Sequence, residues 1–147
     1  MKQSRKRLKI SSLIVLLFAG LTLLQLVSEI LLGELNSAEI PVDAPENILL
    51  ITKIFLLVMS VVLLLPQIYI GVKGLKVAKN PSAAKAHIIV AIILFVVAIS
   101  NLIFPAISII KGDDIRGNVS TVLSVAVEIM VFFDYITAAR EVAKAKQ

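Results

Sequence analysis

The sequence predicts an all-α integral membrane protein: a four-helix bundle, one transmembrane domain over residues 1–147, with its N- and C-termini cytoplasmic. Three observations predict it. Apolar residues make up 59% of the chain, against roughly 45–50% in soluble domains, and the mean hydropathy is +0.98. Four apolar runs are each long enough to form the roughly 20-residue helix that crosses about 30 Å of hydrocarbon. Finally, twelve of the fifteen Lys and Arg residues fall in alternate segments between those runs.

The first run, 10–32, follows the basic segment "MKQSRKRLK". A signal peptide also begins this way, but no A-x-A cleavage site follows, and Gln25 and Glu29 in its distal part suit a packed helix. The second run, 48–71, contains Lys53, Pro66 and Gln67, and Pro66 is expected to bend it. Gly71 and Gly74 are three apart rather than four, so they do not make a GxxxG pair and read as the end of this helix. The third run, 88–110, is rich in β-branched residues. Its length, and the need to satisfy every backbone group within a lipid-embedded segment, nevertheless favour helix over strand. The fourth, 119–139, carries Glu128 and Asp134.

Connectors are expected at 33–47, 72–87 and 111–118, where Gly, Pro, Asn and Asp collect. The N-terminal segment, the 72–87 connector and the C-terminus hold the twelve basic residues, whereas Lys53, Lys111 and Arg116 lie toward the other side. The positive-inside rule makes the first group cytoplasmic. The net charge of +5 is then accounted for by topology and by anionic lipids at the cytoplasmic face, and nucleic acid is not expected as a partner. Small size, short loops and the absence of cysteine point to a multi-pass protein of a bacterial plasma membrane.

With no cysteine and one histidine, disulfide-stapled loops, thiol relays and Cys- or His-based metal centres lack their ligands, so neither cofactor nor metal is expected. Neither GxSxG nor HExxH occurs, and the outer connectors offer little material for a catalytic pocket, so an enzyme is not expected.

Polar residues inside the runs carry what functional signal there is. Projected at about 100° per residue, each run has one hydrophilic stripe: Thr22, Gln25 and Glu29; Lys53, Ser60 and Gln67; Asn101, Pro105 and Ser108; Ser120, Ser124 and Glu128, continuing to Tyr135. Because an exposed charge in lipid costs about 2.5–3.5 kcal/mol even on the lenient insertion scale, such stripes are expected to face the bundle interior. Depth along the runs suggests a Glu29–Lys53 ion pair near the outer end and an Asn101–Glu128 hydrogen bond at mid-membrane. Nearer the cytoplasm, Asp134 is expected to reach Gln67 or His87, or to extend to the interface. Each pairing serves equally well as a helix-to-helix clamp. A desolvated Glu128 could instead exchange protons or hold a cation.

The four short spans and an intramembrane glutamate resemble the small multidrug resistance transporters. The chain departs from them in placing Glu29 near the outer end of its first span and in its strong charge asymmetry, so no family is assigned. The leading expectation is a non-enzymatic accessory, scaffold or assembly subunit whose partner is another membrane protein or a second copy. Next comes an oligomeric small transporter or channel component using Glu128 as a proton or cation site. A lipid-sensing or immunity-type protein acting through its basic connectors comes third.

Overall fold

The computed structural model describes residues 1–32, 45–112 and 115–146, without the side chains of Leu32 and Leu56. Among these residues there are four α-helices and no strand: α1 (Lys2–Leu32), α2 (Glu46–Lys79), α3 (Ala86–Lys111) and α4 (Ile115–Lys144). Each is long and apolar enough to cross a membrane. At 1.5 Å per residue, α2 with its 34 residues is about 51 Å long and exceeds the hydrocarbon thickness. The expected connector 33–47 falls almost wholly outside the described residues, as do Asp113 and Asp114.

The helices run further than their apolar runs, chiefly at one end. The basic N-terminal segment is the first two turns of α1, and α2 continues eight residues past Gly71 to Lys79. The 72–87 connector therefore shortens to residues 80–85. Tertiary contacts hold these extensions. Arg5 Nε donates to the carbonyl of Ala78 at 2.9 Å, and a terminal guanidinium nitrogen donates to that of Lys79 at 2.7 Å. Both acceptors are last-turn carbonyls that the helix itself leaves unsatisfied. At the far end Gly112 closes α3 with a left-handed φ of 82°, donating its N–H to the carbonyls of Ile109 and Ser108.

The helices form a ring in which α1 packs on α2 and α4, and α3 packs on α4 and α2. The Arg5 bonds and a contact between Ser4 and Glu141 put the N-terminus, the end of α2 and the end of α4 together, so the twelve basic residues gather at one end. The core lies in this half. Its buried positions recur every three or four residues: Leu8, Ser12, Val15 and Ala19 on α1; His87, Ala91, Leu94 and Ala98 on α3; Phe132, Tyr135, Ala139 and Val142 on α4. Small side chains bring the helix backbones close, which is how helices associate in lipid. Nearer the other end, burial is confined to Leu26 and Leu64 among the described apolar side chains. Phe104 and Ile110 there are 80% and 85% exposed, part of an apolar surface that suits lipid and not water.

Gly71 and Gly74 do not end α2; they lie inside it, at its closest approach to α1 and α4. A Cβ on Gly71 would lie 2.5 Å from Leu16 Cγ and 3.3 Å from the Ser12 carbonyl oxygen. One on Gly74 would overlap Ser12 Oγ and stand 2.6 Å from Tyr135 Cε2. Three-residue spacing serves here because two different surfaces are being approached.

Candidate functional site

Above the packed core a cleft of about 470 Å³ opens between α1 and α4, with α2 behind it. Its polar groups are Thr22 and Gln25 from α1, Gln67 from α2, and Ser124 and Glu128 from α4. Phe18, Leu21, Val125 and Val127 supply apolar walls. The size falls in the range of small-ligand sites, roughly 300–1,000 Å³. Parts of the hydrophilic stripes of α1, α2 and α4 thus meet at this cleft, but Thr22, Gln25 and Ser124 are exposed there and not enclosed in the bundle interior as expected, and the stripe of α3 does not join them.

Glu128 is half-buried, and its carboxylate accepts a hydrogen bond from Gln67 Nε2 at 3.3 Å. The expected partner, Asn101, is exposed on α3 instead. It follows the line of Leu94 but lies beyond Ala98, the last buried residue of α3, where the bundle has already opened. A helix ending at residue 71 would set Gln67 near the membrane edge. With α2 reaching Lys79, Gln67 stands about 18 Å from the helix end, close to the depth of Glu128.

The other hydroxyls are satisfied locally. Thr22 Oγ1 donates to the Phe18 carbonyl at 3.0 Å, and Ser124 Oγ to that of Ser120 at 3.1 Å, each four residues back. Their lone pairs and the Glu128 carboxylate offer acceptors against apolar walls, beside the Gln25 and Gln67 amides, whose Nε2 groups donate to Glu29 and Glu128. That chemistry favours a proton, an ammonium group or a small organic cation. Among the described residues no three His, Asp or Glu side chains converge as a metal site would need.

The expected Glu29–Lys53 ion pair is not formed. Glu29 accepts from Gln25 Nε2 at 2.9 Å along its own helix, and the ion pairs among the described residues lie at the opposite end of the bundle. Both residues sit where packing has loosened, so neither helix carries its side chain to the other.

The Gln67, Asp134 and His87 group is dispersed over three places. Gln67 belongs to the cleft. Asp134 binds α1: Arg7 Nε donates to Asp134 Oδ1 at 3.1 Å, a terminal nitrogen of Arg7 reaches the same oxygen, and Ser11 Oγ donates to the other. Arg7 also lies 3.8 Å from Glu141, about two turns further along α4. His87 is fully buried in the first turn of α3, its ring edge-on to Tyr135 at 6.1 Å and 87°, with neither ring nitrogen hydrogen-bonded within the protein. Tyr135 in turn donates its hydroxyl to the Ile70 carbonyl at 2.8 Å.

A first helix beginning at residue 10 has no place for the Arg7 link. Ser4, Arg7 and Ser11 share one face once the basic segment is helical, opposite Asp134 and Glu141, which are seven residues apart on α4. The link is expected to contribute modestly, since both side chains are 40% exposed. In a double-mutant cycle, Arg7→Ala and Asp134→Ala should show a small favourable coupling, the double variant losing less than the sum of the two single losses, read as thermal stability of the detergent-solubilised protein. Strict additivity would remove the link from the fold's support.

No protein-family model, curated protein or solved structure matches the chain.

Proposed function

We propose that the protein is a small, non-enzymatic integral membrane protein that takes a proton or a cationic group at Glu128, as a component of an oligomeric transporter or channel. The observation that carries this reading is the position of Glu128 in an open polar cleft rather than sealed between helices. A carboxylate that served only to clamp two helices would lie inside the packed half, where the buried stripes already hold the helices together. Oligomerisation belongs to the reading because the cleft is lined by α1, α2 and α4 and does not pass through the bundle's tightly packed basic end. By the positive-inside rule the basic end faces the cytoplasm, and the membrane is a bacterial plasma membrane.

A second reading, an accessory or assembly subunit, draws on α2. From Glu46 to Gln67 its one buried apolar side chain among those described is Leu64, so it presents the longest face to lipid or to another membrane helix.

The test uses purified protein in phosphatidylcholine proteoliposomes, with proton flux read by an internal pH dye and binding of the lipophilic cation tetraphenylphosphonium measured alongside. Glu128→Gln is expected to lower both by about tenfold or more, the effect of losing one charge-assisted contact. Asn101→Ala, outside the cleft, should stay within about twofold. Unchanged flux and binding in Glu128→Gln would leave the assembly reading in place.

A further inference from the structure

The basic end carries a second cavity, of about 740 Å³, between α1 and α2. Five cations line it, Lys2, Arg5, Lys6, Lys9 and Lys79, over an apolar floor of Leu75 and Ala78. Lys2, Lys6 and Lys9 follow one another at four and three residues and so share a face of α1. That face is turned away from Arg7, and the consequence is electrostatic. The acidic side chains at this end that form ion pairs, Asp134 and Glu141, are engaged by Arg7 on the α4 side of α1. Among the described residues none of the four lysines has an ion-pair partner. Arg5 is held in place by its bonds to the Ala78 and Lys79 carbonyls, which tie the two walls of the cavity together.

We propose that this cavity is a binding site for the phosphate headgroup of an anionic phospholipid. Any phosphate would satisfy the charges, but the surface below them selects a lipid. The face of α1 that bears the three lysines continues as Leu13 and Leu17, both exposed, and across the groove α2 exposes Val72 and Ile68. Cations at the level of the headgroups, followed along the same line by exposed branched side chains, match a phosphodiester above acyl chains. A smaller groove between α3 and α4 has three cations, Lys85, Arg140 and Lys144, and so offers less charge to the same ligand. The site rests on membrane insertion alone and is independent of Glu128.

The full-length protein in detergent is titrated with dioleoyl phosphatidylglycerol and, separately, dioleoyl phosphatidylcholine, with bound lipid counted by native mass spectrometry. The first phosphatidylglycerol should bind about tenfold or more weakly to the triple variant K2Q/K6Q/K9Q, and about threefold more weakly to K6Q alone. A triple of equal charge scattered over the same end, K73Q/K144Q/K146Q, should change it by less than about twofold. Inorganic phosphate in excess should leave the lipid bound. Equal weakening by the two triples would reduce the effect to diffuse surface charge and overturn the site. Equal binding of phosphatidylcholine would remove the role of the net charge, and full displacement by inorganic phosphate would assign the cavity to a soluble anion.

Discussion

Gly74→Leu is expected to cost about 3 kcal/mol or more and to open the basic half of the bundle. The side chain has no direction in which to go. Its Cβ would overlap Ser12 Oγ on one side and lie 2.6 and 2.8 Å from Tyr135 Cε2 and Oη on the other. Ser12 is itself fixed, donating to the Leu8 carbonyl at 2.6 Å, and Tyr135 is fully buried within the core. Relief therefore requires α2 to move away from α1 and α4 together. Gly20→Leu is the matched control: a Cβ there meets nothing within 4 Å, and the new side chain projects onto the exposed surface. Thermal loss of helical circular dichroism in detergent should separate the two clearly. Equal melting temperatures would mean that the close approach at Gly74 does not limit stability.

The second large effect is expected at Tyr135, where truncation to Ala should cost about 3 kcal/mol and Phe under about 1 kcal/mol. In lipid the unfolded helices are already surrounded by hydrocarbon, so little of the cost comes from transfer out of water. It comes from the dispersion attraction forfeited around an empty volume that neighbouring helices, held at Gly74 and by the alanines of α4, cannot collapse to fill. The phenol hydroxyl matters less because the Ile70 carbonyl lies inside α2 and keeps its own helical hydrogen bond when the hydroxyl is gone. The Ala variant should also remove the ring edge that His87 faces. The same melting measurement checks both substitutions; a Phe variant as damaging as Ala would move the energy from packing to the hydrogen bond.

The four spans, and the convergence of Gln25, Gln67 and Glu128 from three of them, are legible in the sequence, because hydropathy and a period of 3.6 residues report length and azimuth within one helix. What they do not report is where a helix ends when its end is polar. Residues 2–9 and 72–79 are charged enough to look like connectors, yet Arg5 and Arg7 hold them helical through partners more than 70 residues away. The shift in helix ends propagates. It changes the depth of Gln67, takes Glu128 from Asn101, and brings Arg7 to Asp134. Lys53 and Glu29 differ for another reason. A pair needs helices close enough to be bridged as well as matching depth. Distance between helices is decided by the small residues Ser12, Ala19, Gly71 and Gly74, toward the other end. Their signal in the sequence is small side chains at three- and seven-residue spacing, which hydropathy does not separate from the surrounding apolar residues.

The confinement of the core to one end divides the molecule into a packed base and a loosely packed half. Arg5 joins the start of α1 to the end of α2, and Arg7 joins it to α4, so the helices are tied at the basic end. Toward the other end they carry few buried side chains among the described residues. The cleft at Glu128 therefore lies at the boundary between the two, directly above the packed base.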